Sequence, residues 1–122
     1  MIYRMRIYSG VEKHVDAFNA FFNQQLLPVQ LRHGARLVGR WHTEDDRVVA
    51  IWAYDSRDAY QQIQDAVSHD PESAIAKAIR NTLPQLFDSM QETLMVPTIS
   101  DGSAHDSESY ARLAPEMAGH PE

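Results

Sequence analysis

The run Val48-Val49-Ala50-Ile51-Trp52-Ala53-Tyr54 constrains the fold more than any other part of this chain. Its β-branched and aromatic residues, with no Gly or Pro, specify a strand, and Asp55-Ser56 closes it with a helix-start signal. The two faces of that strand differ. Val49, Ile51 and Ala53 are compact and apolar and suit packing against helices, whereas Trp52 and Tyr54 carry large rings with polar tips and suit a pocket wall.

The other elements fall into order around it. Residues 2–8 alternate as a strand does, with Tyr3, Met5 and Ile7 on one face and Arg4, Arg6 and Tyr8 on the other. Ser9-Gly10-Val11-Glu12 has the spacing of a capping box, and Val11, Val15, Phe18, Phe22 and Leu26 follow as one apolar helical stripe until Pro28 interrupts it. His33-Gly34 reads as a helix end with Gly in the left-handed position. Strands are expected over 35–43 and 47–54, joined by the acidic Glu44-Asp45-Asp46 turn. Asp55-Ser56 starts a helix with Tyr60, Ile63 and Val67 aligned, and Asp70-Pro71 restarts it with Ile75, Ile79 and Leu83 as its stripe. A last strand runs from about Met90 to Val96. The order βαββαβ is the ferredoxin-like pattern, an α+β class.

Helices cover only one face of such a sheet. The other face is expected to present the aromatic rings and arginine stems, more apolar area than a monomer leaves wet, so a second copy is expected to bury it and a homodimer is anticipated. The domain spans residues 1–98. Residues 99–122 are read as an acidic tail whose composition favours disorder, with Tyr110, Leu113 and Met117 at the spacing of a short helix that could instead dock on the core or on the partner subunit.

Composition narrows the function classes. The 122 residues are 43% hydrophobic and 23% charged, an ordinary globular mix, with a formal charge of −6. No basic stripe emerges, so nucleic acid is not an expected partner. No apolar run is long enough to cross a bilayer, and no signal pattern precedes the first strand, so neither a membrane nor export is expected. Cysteine is absent, which removes thiol catalysis and fits a cytoplasmic protein. There is no HExxH, calcium loop, Walker loop, GxGxxG or GxSxG. Metal and cofactor are therefore not expected, with a haem on His33 or His42 left open.

Several short segments resemble one family. Met1-Ile2-Tyr3-x-x-Arg6-x-Tyr8, Pro28-Val29-Gln30-Leu31-Arg32-His33-Gly34, Leu37-Val38-Gly39, Thr43-Glu44, Trp52-x-Tyr54-Asp55-Ser56 and Pro97-Thr98 are similar, in order and spacing, to NIPSNAP domains. The resemblance implies a dimeric α+β barrel with two four-stranded sheets face to face. That superfamily also houses cofactor-free monooxygenases, muconolactone isomerases and haem-binding enzymes. This chain departs from the pattern at Ala50, where many relatives carry a larger, often imidazole or aromatic side chain, and in a shorter connection between the second and third strands.

The candidate chemistry is anion handling. A guanidinium forks onto a carboxylate or enolate with two parallel hydrogen bonds, and a phenol can add a third. For Arg4 a cross-strand salt bridge to Glu92 or Asp88 is the preferred reading, and for Arg6 and Tyr8 pocket lining. Trp52 and Tyr54 offer flat apolar surface for a ring, or equally a packed dimer core. Arg40 and His42 share a face with Trp52 and Tyr54 if the turn is three residues long, together with Val38. A two- or four-residue turn puts Leu37, Gly39 and Trp41 there instead. The three-residue turn is preferred because Arg40 and His42 are poor residues to bury under helices. His42 is then the expected general base, Tyr8 and Tyr54 hydrogen-bond donors, Arg6, Arg40 and Arg4 anion binders, and Trp52 the ring platform. His33 reads better as a helix-end residue than as a catalyst. The expected function is a cofactor-independent isomerase, cyclase or lyase acting on a small anionic or enolisable ring-bearing molecule. The alternative is a non-catalytic small-molecule-binding or protein-interaction homodimer.

Overall fold

The structure, a computed structural model, describes residues 1–99. The tail helix expected around Tyr110, Leu113 and Met117 lies outside them. Four strands, β1 (Ile2–Ser9), β2 (Arg36–His42), β3 (Val48–Tyr54) and β4 (Ser89–Met95), form one antiparallel sheet in the order β2-β3-β1-β4. Helices α1 (Val15–Phe21), α2 (Leu27–Arg32), α3 (Arg57–Ser68) and α4 (Pro71–Arg80) pack on one face, which makes the ferredoxin-like α+β fold.

The local signals mostly do what their chemistry dictates. Ser56 caps α3 by accepting from the Ala59 N–H at 3.0 Å, and Asp70 caps α4 by accepting from the Glu72 N–H at 2.9 Å with Pro71 in the first turn. At the end of α2, Gly34 sits at φ +97° and the Ala35 N–H reaches back to the Gln30 carbonyl, closing the helix. The β2–β3 hairpin has a three-residue loop with Asp46 at φ +57°, closed by the Thr43 N–H donating to the Arg47 carbonyl at 2.8 Å.

Other expectations are corrected. Ser9 and Glu12 form no capping box: α1 starts at Val15, and the Ser9 carbonyl instead accepts from the Asp88 N–H at the β4 entry. Pro28 does not end the helical run. A π-helical turn, Phe22–Leu26, leads into α2, where Pro28 falls in the first turn and its missing N–H costs nothing. In α4 the inward positions are Ala76 and Ile79, leaving Ile75 exposed.

The largest correction concerns the faces of the sheet. Trp52 and Tyr54 lie beneath the helices, 3% and 1% exposed, in a core with Ile2, Phe22 and Ala35. Val48 and Tyr8 pack against Phe18, Phe21 and Val11 on the same side. The helix-free face carries Tyr3, Met5 and Ile7 with their partners Ala53, Ile51 and Val49. Alternation fixes which residues travel together, but both sets here are apolar enough to be buried. The helices meet the set with arginines because their own inward faces supply aromatic rings to stack on the guanidinium groups.

Asp70 joins the two helical halves. Its Oδ2 is 2.7 Å from both Arg32 Nη2 and His33 Nε2 at the end of α2. The Arg32 guanidinium, then the His33 ring and the Glu72 N–H, hold the Asp70 carboxyl well below the usual carboxylate range. A carboxyl lowered in the folded state contributes stability above its unfolded pKa of about 3.9 and loses it as pH falls through the lowered value. Asp70→Asn is therefore expected to melt lower than wild type at pH 7. The gap should narrow only below about pH 4, which thermal melts across pH would show.

Candidate functional site

Cross-strand register builds one transverse row under the helices. Arg40 pairs with Ala50, Ala50 with Arg6, and Arg6 with Glu92, so the row reads Arg40–Ala50–Arg6–Glu92 from edge to edge. Partners directly opposite share a face. With strands about 4.8 Å apart, only the Ala50 methyl separates the two arginine stems. Arg4 stands in the next row between Trp52 and Leu94.

Each guanidinium is held differently. Arg4, 4% exposed, places its Cζ 5.5–5.9 Å from the ring centroids of Trp52, Tyr54 and Tyr60, and its Nη1 donates to Glu92 Oε1 at 3.3 Å. Burial raises the Tyr54 phenol above its ordinary value, with the Arg4 charge opposing, so it is a neutral donor at pH 7. The cross-strand pairing expected of Arg4 is thus observed. Arg6 reaches the same Glu92 oxygen at 3.3 Å, but its Nε–H is not aligned for a hydrogen bond.

Arg40 is clasped between two phenylalanine rings. Its Cζ lies 4.7 Å from the Phe18 centroid and 4.5 Å from the Phe22 centroid, and its Nη1 donates to Asn19 Oδ1. Burial pulls its pKa down and Tyr8 partly opposes the shift. Its Nε and Nη2 are buried with no hydrogen-bond partner among the described residues. Those two atoms form one edge of the guanidinium, the side-on fork that takes a carboxylate through two parallel hydrogen bonds. An unfilled buried donor costs about 1–3 kcal/mol, so two on one edge call for an acceptor.

Beside the row lies a cavity of about 80 Å³ lined by Arg6, Tyr8, Phe18, Phe21, Leu26, Arg80, Leu86 and Phe87. At about 30 Å³ per water, it has room for two or three waters or a compact acid. Tyr8 meets Phe18 and Phe87 edge-on at 4.9 and 4.8 Å, with the Arg6 Cζ 5.7 Å from the Tyr8 centroid. The π-helical turn contributes Leu26 to this wall, and such turns concentrate at functional sites.

The structure brings Arg6, Arg40 and Tyr8 together and leaves other sequence candidates outside. His42 shares the helix-side face but sits at the hairpin, 44% exposed, with Nε2 3.0 Å from Asp46 Oδ1, and it does not line the cavity. Trp52 and Tyr54 are occupied by core packing. Val38 leaves the Arg40 face because a bulge between Leu37 and Gly39 puts Leu37 opposite Trp52. Arg80, Phe87 and Asn19 escaped the sequence reading. Phe18, Asn19 and Phe22, grouped within one helical turn, were the signal for the Arg40 clasp.

The sheet order, the helices on one face and the desolvated cationic row define a ferredoxin-like α+β domain. The chain belongs to the NIPSNAP family, whose model matches residues 3–100. An uncharacterized NIPSNAP domain protein from Burkholderia xenovorans is similar in structure, with a TM-score of 0.70 and 22% identity over 80% of this chain and 95% of that one. A protein from Agrobacterium tumefaciens gives 0.69 and 24% over 80% and 94%. A monooxygenase from Streptomyces coelicolor, solved in complex with nanaomycin D, gives 0.58 and 16% over 81% and 88%. At these identities the likeness establishes the fold. No curated protein matches the chain by sequence.

Glu92 is the carboxylate shared by Arg4 and Arg6, so removing it strands a buried cation. Glu92→Gln is expected to cost about 1–3 kcal/mol in urea unfolding. The double variant Arg4→Met/Glu92→Leu should recover most of that loss, since it removes the stranded charge as well.

Proposed function

We propose that this domain takes a small carboxylate or enolate anion between its sheet and its helices. The observation that carries the proposal is the buried side-on fork of Arg40, separated only by Ala50 across the sheet from Arg6, which with Tyr8 lines the adjoining cavity. Among the described residues the three arginines on this face share one carboxylate partner, Glu92, which leaves an excess of positive charge there. An oxyanion lying over Ala50 would satisfy both Arg6 and Arg40, and the Tyr8 hydroxyl would donate to it. Preorganised donors aimed at an oxyanion favour enolisation of a bound carbonyl acid, so the reaction class proposed is a cofactor-independent isomerase, cyclase or lyase step. Tyr8 is the hydroxyl in the cavity wall, so it, rather than His42, would supply the proton to the developing oxyanion. The small cavity favours a compact acid over a multi-ring substrate.

The reading is tested by thermal shift with small carboxylates. A ligand of the folded state raises stability by about 1.4 kcal/mol at ten times its Kd. The shift should appear in wild type and in Arg57→Ala, and shrink at least about tenfold in apparent affinity in Arg40→Ala and in Arg6→Ala. A second reading has the arginines as braces only, and Glu92 bridging Arg4 and Arg6 favours it. In that case the two variants would melt lower without changing any ligand response.

The domain is further proposed to pair with a second copy through its helix-free face. Val38 and Trp41 are 41% and 49% exposed there, and an apolar groove of about 380 Å³ runs along Tyr3, Ile51, Met95 and residues 96–99. The Trp41 ring passes over Gly39, where an added Cβ would collide with it, so strand β2 offers an exposed aromatic ring to a partner. Among the described residues no helix is long and apolar enough to cross a membrane. Ile51→Asp is expected to turn a sedimenting dimer into a monomer. A wild-type chain that sediments as a monomer would count against the pairing.

A further inference from the structure

The cavity has a second cation. Arg6 rises from the sheet floor, and Arg80, in the last turn of α4, reaches the same space from the helical layer. The Arg80 Cζ lies 5.1 Å from the Phe87 centroid, Phe87 meets Tyr8 edge-on at 4.8 Å, and the Arg6 Cζ lies 5.7 Å from the Tyr8 centroid. Two guanidinium groups therefore bracket an aromatic pair, with the cavity between them. Arg6 has a counter-ion in Glu92, whereas Arg80 makes no ion pair with a carboxylate among the described residues. Arg80 is exposed, so its place over Phe87 is not forced by burial. The remaining wall, Phe18, Phe21, Leu26 and Leu86, offers no polar side-chain group to a ligand's middle.

We propose that the ligand of this site is a compact dicarboxylate, one carboxylate held at Arg6, the neighbour of Arg40 in the transverse row, and the other at Arg80, with a short apolar or unsaturated spacer lying alongside the touching Tyr8–Phe87 pair. The proposal rests on the anion-binding reading above and adds the ligand class. The volume sets the length: about 80 Å³ holds a three- or four-carbon diacid whose outer carboxylate sits at the rim, near Arg80. A monocarboxylate fills the inner half and leaves Arg80 unused. Arg80 thus acts as the specificity residue, since it rewards a second charge at a fixed distance from the first.

Calorimetric titration of the full chain at constant ionic strength separates the possibilities, with acetate and propionate set against malonate and succinate. The expected result is a preference of about tenfold or more for the diacids, equal to one charge-assisted contact. In Arg80→Ala that preference should vanish while monocarboxylate affinity stays as in wild type, and Arg80→Lys should restore part of it. Equal affinity for both acid types, or a preference that survives Arg80→Ala, overturns the dicarboxylate assignment and leaves the inner anion site standing. Absence of binding by every acid, or binding untouched by Arg6→Ala, overturns the inner site and this proposal together.

Discussion

Three guanidinium groups on the helix-covered face of a four-stranded sheet must give up water, and the rest of the structure is arranged around that requirement. A desolvated charge costs several kcal/mol unless something replaces its hydration. Here the replacement comes from two sources. Glu92 stands within 3.3 Å of Arg4 and Arg6, and aromatic rings supply the remainder: Trp52, Tyr54 and Tyr60 around Arg4, Phe18 and Phe22 around Arg40, and Tyr8 beside Arg6. Each such stacking is worth about 0.5–2 kcal/mol, more when desolvated. The inward faces of α1, the π-helical turn and α3 are therefore aromatic because the strands beneath them are cationic.

The same arrangement links fold to chemistry. Register places Ala50 between Arg40 and Arg6, and a methyl group at that point leaves the two stems with no bulk between them. Asn19 and the two phenylalanines fix the Arg40 plane, so its free edge is preorganised rather than searching for a partner. In the proposed reading a carboxylate arriving there would pay little in side-chain ordering, and a preformed cationic fork would favour planar oxyanions. A larger residue at position 50, as the family resemblance implies for many relatives, would fill that gap with its own side chain.

Much of the fold was legible because its signals are local. Ser56 and Asp70 have hydroxyl or carboxylate oxygens at the right offset for a helix N-terminus, and Gly34 has no Cβ to oppose a positive φ. The three-residue hairpin loop was similarly readable from Glu44-Asp45-Asp46. The facing of the sheet was not, since Tyr3-Met5-Ile7 and Arg4-Arg6-Tyr8 are both consistent sets and only the helices decide between them. Reading arginine as unfit for burial ignored what Phe18, Phe22 and Tyr60 do to a guanidinium. The bulge at Val38 also left no local trace, and it moved that residue off the Arg40 face. Arg6, Tyr8 and Arg40 were singled out from strand chemistry together with, for Arg6 and Tyr8, the family motif. Arg80 and Phe87 were missed because they come from a helix end and a loop that only tertiary packing brings to the sheet.

The account turns on buried arginine donors that await an anion, and the Nε–H resonances of the arginines report on them directly. In a ¹⁵N-labelled sample, the Nε–H groups of Arg4, Arg6 and Arg40 should exchange with water far more slowly than that of the exposed Arg57, and a saturating small carboxylate should shift Arg40 Nε–H while leaving Arg57 in place. Exchange at Arg40 as fast as at Arg57, with no shift on adding carboxylate, would contradict the central claim.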